Sequence, residues 1–587
     1  MINMRTNNFL KLYKMVSFLI FMVIFFISQF FYFDYIHFHK YNNIFLWFAT
    51  LFIGLFFIII YFYDLNIFYF LSVLPLFFGF NISYTYQHSV SLIAFVFYGI
   101  FAVLAILGFV FSKNYKLSNR IDFILKNYIP DKKIFINLLI FIIIFIIAPF
   151  IMQKIFIVYD SAFKWYFEFR NDFQFNFFEF LFLFILGGII IYMNFLVMDD
   201  KIKNKLILLL LLFILGFFIK LIIVKLSTFD IKTFQEKILS NSYYFWAQKV
   251  ESFQDILKNF VKLHQQYYDN GHVGGHPPLA LLFYWFLIKI FPDNNETIWV
   301  ANFIALFSLF TIIPIFYITF YYTKNLKIAY LSSLFYILTP NSAILSVSHI
   351  DAIIVVFIAF SLFTFIYGIK KENFLYFILS GLIFGIATYL TFGIWHLLMI
   401  FVLFLFLEQS KTINNNFDKL FLKIALQFFV FILGILFIHL FFILISAGAF
   451  NYIDSFIAAQ KRHVAISRPY EIWSWANFLH WGQYITPAII SLYFLRYFYA
   501  LKDKIKMDAF SLISIIIILI QFISCTGRAE QQRQWMYLII FILPVSVIPL
   551  FGFLKNKLVF NKIFIQIFSI AIFIWSILIE IFIYDRI

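Results

Sequence analysis

A polar segment from Ser227 to Thr297 interrupts a chain that is otherwise almost continuously apolar. Carboxylates and imidazoles are side chains that often move protons in enzyme reactions, and this segment concentrates both. Its acids and histidines are Asp230, Glu236, Glu251, Asp255, Asp269, His264, His272 and His276. It also holds the aromatic run from Tyr243 to Trp246 and the sequence Gly-Gly-His-Pro-Pro-Leu, which ends at Leu279. The segment is therefore a candidate reaction site.

Three shorter polar stretches follow later in the chain. The first ends in Asp351, and the other two carry arginines among aromatic residues. Their members are Arg468, Tyr470, Trp473 and Asn477 in one, and Gly527, Arg528, Glu530, Arg533 and Trp535 in the other. Because the planar guanidinium group of arginine binds phosphate through two parallel hydrogen bonds, these two stretches are candidate anion sites.

The composition indicates a polytopic membrane protein. Hydrophobic residues make up 64% of the chain and charged residues 12%, and the mean hydropathy is +0.95. These values exclude an ordinary soluble globular fold. The net charge of +16 does not predict a nucleic-acid partner, because the lysines lie in short gaps between apolar runs, as topology signals do. Cys525 is the single cysteine, which excludes an internal disulfide and a cysteine-cluster metal site.

Apolar runs long enough to cross about 30 Å of hydrocarbon recur along the chain, and spans through lipid of this kind must be helical. The predicted fold is therefore all-α, with about seventeen spans. The first seven are 12–33, 44–63, 66–81, 90–112, 134–152, 176–198 and 204–226. The remaining ten are 298–321, 327–345, 350–368, 374–391, 393–407, 419–447, 483–501, 509–524, 536–553 and 563–584. The stretch Leu279–Phe291 is too short to cross the membrane and is predicted to lie as a helix in the outer interface. Asp255–Lys262 and the aromatic run before it are candidates for a second interfacial helix.

Basic residues fall in alternate gaps between these spans. Since cytoplasmic loops carry an excess of lysine and arginine, those gaps are predicted to be cytoplasmic, as is the amino terminus. The first span lacks a following cleavage site and is read as an anchor. The other gaps then share the outer face, and they hold the segment 227–297, Ser346–Asp351, Asn451–Trp481 and Cys525–Trp535. Residues far apart in sequence are thus expected to meet at one side of the membrane.

The order of these motifs resembles the GT-C glycosyltransferases. The resemblance rests on His276-Pro277-Pro278-Leu279, Trp299 and Asn302, the pair Thr339-Pro340, and Asp351. The branch it resembles is the protein-mannosyltransferase-like one, which uses sugars carried on polyprenyl phosphate. Arg468-Pro469-Tyr470 and the Gly527-x-x-Glu530-x-x-Arg533-x-Trp535 arrangement look like bacterial members of that branch. The resemblance covers roughly residues 204–587.

The resemblance implies an inverting transfer in which a carboxylate takes the proton of an acceptor hydroxyl while polyprenyl phosphate leaves. Relatives are expected to carry that acid within Ser240–Tyr244, where this chain has Asn241, and an amide cannot act as the base. Asp230 is the first candidate base, Asp351 the second and Glu236 the third. The residues predicted to bind the donor phosphate or substrate are His276, Arg468, Tyr470, Arg528, Glu530, Arg533 and Trp535. No metal or other cofactor is predicted.

Each of these residues also has a structural interpretation. Asp230 and Asp351 are acids near span ends, where an acid commonly caps a helix. His276 is followed by two prolines and suits a turn. Arg528 and Arg533 can have a purely structural role as salt-bridge partners of Glu530. Arginines in a gap predicted to be outer, however, depart from the preference of basic residues for cytoplasmic gaps. Trp535 and the other tryptophans near these gaps suit interface anchoring.

The sequence predicts a transmembrane module of about six helices in residues 1–200, with no clear motif, and a glycosyltransferase core in residues 201–587. The predicted partners are a polyprenyl-phosphate-sugar donor, a glycan, lipid or protein acceptor, and the lipid bilayer. The predicted location is a bacterial inner membrane with the active site on the outer face. A flippase for lipid-linked saccharides is the alternative function, and a non-catalytic scaffold is the third. Few charges lie within the spans and no inverted repeat is visible, which favours the enzyme.

Overall fold

A computed structural model describes residues 177–226, 242–260, 272–291, 296–347, 349–410, 417–465, 470–502, 507–524, 535–552 and 558–582. These residues form helices joined by short connections, and no strand occurs among them. The predicted all-α class is confirmed for this part of the chain. The predicted spans from 12 to 152 lie outside the described residues, so the total of about seventeen stays a prediction.

Ten helices make up the described chain as far as the Asp351 region. They are α1 (Phe177–Met198), α2 (Lys205–Leu226), α3 (Ser242–Gln248), α4 (Phe253–Asn259), α5 (Pro278–Ile290), α6 (Glu296–Ser308), α7 (Ile312–Thr323), α8 (Leu326–Leu338), α9 (Pro340–Ala343) and α10 (Ile350–Lys371). Short 3-10 turns at His272–Gly275, Leu309–Thr311 and Leu345–Val347 lie between them.

Ten more helices follow. They are α11 (Phe374–Leu390), α12 (Leu397–Gln409), α13 (Phe417–Ile445), α14 (Tyr452–Ala465), α15 (Tyr470–Ile485), α16 (Pro487–Lys502), α17 (Ala509–Ser524), α18 (Ile539–Ser546), α19 (Ile548–Gly552) and α20 (Leu558–Phe582). The 3-10 turns Phe392–Ile394 and Met536–Leu538 precede α12 and α18. Six helical stretches among the described residues are long and apolar enough to cross a membrane, or seven if the bent pair α8 and α9 counts as one span.

Two of the predicted spans are broken. The predicted span 327–345 bends by 59° between α8 and α9, because the residue before a proline is driven out of the helical region and Thr339 precedes Pro340. The predicted span 483–501 begins inside α15, and α16 starts only at Pro487. Between the two, Thr486 has a φ of 85°, which ends α15 before the proline. The gap before it, predicted only as a loop, contains α14 and most of α15.

Lysine contacts gather the basic gaps at one end of the bundle, called here the lysine end. Lys327 lies 2.8 Å from Asp200, Lys562 pairs with Asp199, and Lys423 lies 2.6 Å from Glu372. These pairs join gaps that are separated by up to several hundred residues. Among the described residues, Lys327 and Lys562 thus lie with the gap after α1, and Lys423 lies with the gap after α10, as the alternation predicts. Their assignment to the cytoplasm stays a prediction.

Close helix crossings join α11 to its neighbours α10 and α13. A Cβ added to Gly381 on α11 would lie 2.0 Å from the Phe431 carbonyl oxygen of α13, and one added to Gly434 would lie 2.4 Å from the Ile378 oxygen. Small residues at such crossings let backbones approach in membranes. Ser361 Oγ donates to the Ser380 oxygen at 3.0 Å and Ser380 Oγ donates to the Ser361 oxygen at 2.7 Å. This reciprocal pair joins α10 to α11.

The helix before the predicted boundary at residue 200 packs into the described bundle. Asn194 on α1 donates to Gln566 Oε1 and Ser569 Oγ of α20, both at 3.0 Å, and it accepts from Tyr330 of α8 at 3.1 Å. The end of the chain thus closes against α1. The division into residues 1–200 and 201–587 stays a prediction.

Candidate active site

His276 is held between three helices at the end of the bundle opposite the lysines, called here the site end. The turn His272–Gly275 precedes it, and Pro278 opens α5, a position where proline suits a first helical turn. His276 Nδ1 lies 3.1 Å from the carbonyl oxygen of Leu390, the last residue of α11. Because a carbonyl can only accept, Nδ1 carries the hydrogen, and Nε2 is the ring nitrogen with acceptor capacity in the neutral form.

Aromatic rings fix the other side of this imidazole. The Tyr243 ring meets the His276 ring edge-on, with centroids 5.7 Å apart, and stacks on Tyr284 of α5 at 6.0 Å. The aromatic run therefore forms the short helix α3, packed against α5 and the turn before it. The backbone N–H of His276 donates to the Val273 oxygen at 3.3 Å, as the turn interpretation expects. The partner of its imidazole, Leu390, lies 114 residues away in the sequence.

Asp351 lies in the first turn of α10 and is buried. The helix begins after His349, which is the N-cap and makes no side-chain capping bond. The interpretation of Asp351 as the N-cap is therefore wrong by two positions. A carboxylate in a first turn still gains from the helix dipole, which favours negative charge at that end.

A lysine lies behind the turn that leads to Asp351. Lys220 of α2 is 0% exposed, and its ammonium donates to the Ala305 oxygen and to the hydroxyls of Ser308 and Ser346. Ser346 belongs to the turn Leu345–Val347, just before α10. Lys220 therefore joins α2, α6 and this turn, which its position within the predicted span 204–226 does not indicate.

The Trp535 stretch packs into the same end. Trp535 is buried, and its carbonyl oxygen accepts from Trp481 Nε1 at 3.3 Å. Two residues on, the Tyr537 hydroxyl donates to Gln521 Oε1 at 3.0 Å and lies 2.9 Å from His396 Nε2. The turn Met536–Leu538 packs against α10, which carries Asp351. The motif is thereby tied to α12, α15 and α17.

A second cluster of rings lies beside Leu390. His439 Nδ1 is 3.1 Å from the Tyr389 hydroxyl, and Trp395 Nε1 donates to the Tyr452 hydroxyl at 2.9 Å. Tyr452 in turn donates to the Thr388 oxygen at 3.0 Å, and burial raises the pKa of its phenol, so it stays a neutral donor at physiological pH. The partners of His396 and His439 lie on other elements, so the spacing of these histidines in the sequence does not identify them.

Three of the predicted site residues, His276, Asp351 and Trp535, are described, and all three lie at the site end. Tyr470 is the first residue of α15, whose backbone alone is described there. The other predicted site residues, which lie outside the described residues, are Asp230, Glu236, Arg468, Arg528, Glu530 and Arg533. No group of three histidine, cysteine or acidic side chains able to hold a metal occurs in the part of the chain that the structure describes. The absence of a metal cofactor stays a prediction.

Residues 275–435 match the family of dolichyl-phosphate-mannose-protein mannosyltransferases, a domain of the GT-C superfamily. The matched region begins one residue before His276 and runs through Asp351 into α13. None of the curated proteins compared matches the chain. The match confirms the predicted family resemblance over the motifs from His276 to Asp351. The motifs Arg468–Tyr470 and Gly527–Trp535 lie outside the matched residues.

Proposed function

We propose that this chain, whose residues 275–435 match a GT-C glycosyltransferase domain, transfers a sugar from a polyprenyl-phosphate donor to an acceptor hydroxyl at the site end. The single observation that carries the proposal is this family match, which spans His276 and Asp351. The proposed acceptor is a glycan, a lipid or a protein, and the proposed location is a bacterial inner membrane with the site end outward.

The proposed reaction inverts the anomeric carbon. A carboxylate takes the proton of the acceptor hydroxyl, the hydroxyl oxygen bonds to the anomeric carbon, and the bond to the phosphate oxygen breaks with its electron pair. Asp230, four residues after α2 ends at Leu226, is the first candidate base, Asp351 the second and Glu236 the third. The burial of Asp351 in a first helical turn supports its candidacy.

Negative charge grows on the leaving phosphate, so cations and hydrogen-bond donors fixed nearby lower the barrier in a low-dielectric site. The proposed groups are Arg468, Arg528, Arg533 and His276. For His276, the bond from Nδ1 to the Leu390 oxygen leaves Nε2 for other partners, so His276 is proposed to donate to the phosphate through Nε2 as the imidazolium. The ring of Trp535 is buried against Trp481. Trp535 is therefore proposed to support the substrate site by holding the turn Met536–Leu538 in place.

The test is a donor panel on the purified protein in lipid vesicles. Polyprenyl phosphates carrying different sugars are supplied with glycan, peptide and lipid acceptors, and covalently bound sugar is measured. We expect incorporation from at least one lipid-linked donor and none from the matching nucleotide sugars. Movement of intact donor across the bilayer without incorporation would instead establish the alternative, a flippase.

A further inference from the structure

Asn341 is a buried amide that the fold leaves without hydrogen bonds. Its side chain is 0% exposed, and neither its nitrogen nor its oxygen has a hydrogen-bond partner. Burying an amide in this way is unfavourable. Such groups are uncommon in native proteins and point to a bound water, a bound ligand or a functional strain.

The amide lies at the break between α8 and α9, where the span bends by 59°. The 13 residues of α8 rise about 20 Å from the lysine end, which places Asn341 in the half of the bundle near the site end. Broken helices at membrane depth are tolerated where the backbone is buried in protein or lines a polar cavity. Here α9 packs against α2, α15 and α20.

A second incompletely paired amide lies on α15. Gln483 is buried, and its side-chain oxygen has no hydrogen-bond partner. Trp575 donates to the Gln483 backbone oxygen at 2.8 Å, and the next residue, Ser576, donates to the Leu338 backbone oxygen. Two consecutive residues of α20 thus contact the end of α15 and the end of α8. The contact on α8 is at Leu338, three residues before Asn341.

The unpaired atoms define the chemistry of a ligand. Asn341 offers both donors and acceptors, and the Gln483 side-chain oxygen offers an acceptor. A phosphate at neutral pH is chiefly an acceptor, so it would leave the side-chain oxygens of Asn341 and Gln483 without a donor. A hydroxyl group both donates and accepts, and it can pair with all of these atoms. The nearby Lys220 does not call for an anion, since its three hydrogens meet Ala305, Ser308 and Ser346.

We infer that Asn341 and Gln483 bind hydroxyl groups of the sugar carried by the lipid donor. The inference rests on the proposed function and deepens it by naming residues that recognise the sugar and not the phosphate. A trapped water would satisfy the same atoms, so the experiment separates a sugar from a water.

Asn194 is the matched control. It is also 0% exposed, but its nitrogen donates to Gln566 and Ser569 and its oxygen accepts from Tyr330. Asn194→Leu leaves these partners unpaired and is expected to lower the melting temperature. Asn341→Leu removes unpaired polar atoms, so the melting temperature without ligand is expected to stay the same or rise.

The measurement is the affinity and thermal stabilisation by dolichyl phosphates carrying mannose, glucose or galactose, compared with bare dolichyl phosphate. In the wild type, at least one sugar-bearing lipid is expected to bind more tightly than bare dolichyl phosphate. Asn341→Leu is expected to lose about ten-fold in affinity for that lipid, equivalent to about 1.4 kcal/mol, with unchanged affinity for bare dolichyl phosphate. Asn194→Leu is expected to bind the sugar-bearing lipid more tightly than bare dolichyl phosphate, as the wild type does.

The inference is overturned if the wild type shows no sugar-dependent binding, or if Asn341→Leu retains it. A fall in the ligand-free melting temperature of Asn341→Leu to the Asn194→Leu value also overturns it, because that result identifies a structural water. Turnover in the same preparations separates the two proposals. Sugar-dependent binding without transfer refutes the proposed function alone, and transfer that is independent of Asn341 refutes this inference alone.

Discussion

At the residue scale, the reaction depends on one carboxylate whose identity the sequence leaves open. In the sequence, Asp230 and Asp351 both lie near the ends of predicted spans, and Asn241 stands where relatives are expected to have an acid. Asp230 follows the end of α2 at Leu226 by four residues in the sequence, and this spacing keeps it first among the candidates.

Asp230→Asn is expected to lower the rate of sugar transfer by about 10² to 10⁴, because an amide cannot take the acceptor proton. The melting temperature is expected to stay close to that of the wild type. Asp199→Asn is the control, since that acid pairs with Lys562 at the lysine end, and its transfer rate is expected to be nearly normal. Wild-type turnover by Asp230→Asn, combined with loss in Asp351→Asn, would assign the base to Asp351.

Residue identities were easier to predict from sequence than their partners. The turn at His276 and the acid at Asp351 follow from local chemistry, because two prolines and a span boundary mark them. The partner of His276 is a backbone oxygen of Leu390, and backbone oxygens carry no sequence signal. The pairing of Lys220 with Ser346 and the unpaired amide of Asn341 depend on how the broken span packs, which local patterns do not report.

At the scale of elements, hydropathy predicted most described helices to within a few residues, since about twenty apolar residues are needed to cross the hydrocarbon. The predicted short helix at 279–291 corresponds to α5. The breaks at Thr339 and Thr486 were missed, although a proline follows each of them. Proline inside a span is tolerated when neighbouring helices satisfy the freed groups, so its presence alone does not decide between a kink and an end.

The crossing of α11 and α13 is expected to be the most sensitive contact between two elements. Gly381→Ala places a methyl group against the Phe431 backbone oxygen, and overpacking of this kind costs about 1–3 kcal/mol. Both the melting temperature and the transfer rate are expected to fall, because α11 ends at Leu390 and holds His276.

Gly188→Ala is the matched control for that crossing. Its added methyl group meets nothing within 4 Å, and alanine favours a helix over glycine by about 1 kcal/mol. We therefore expect a melting temperature at or above that of the wild type. Equal stability of the two variants would show that α11 and α13 are further apart than described.

At the scale of the whole molecule, the two ends of the bundle differ in chemistry. The lysine end gathers ion pairs such as Lys327 with Asp200, whereas the site end gathers His276, Asp351 and Trp535. Alternation of basic gaps predicted this separation, because each span reverses the direction of the chain. The direction relative to the membrane rests on the preference of basic residues for the cytoplasm.

The most direct test of the account is the sidedness of sugar transfer in sealed vesicles. The chain carries Cys525→Ser and Glu372→Cys, and an impermeant maleimide reports the position of Glu372, which lies at the lysine end. Polyprenyl-phosphate sugar is then placed in one leaflet at a time, and sugar bound to acceptor is measured. The account predicts transfer only from the leaflet at the site end. Transfer only from the leaflet at the lysine end, or passage of intact donor across the bilayer without transfer, would contradict it.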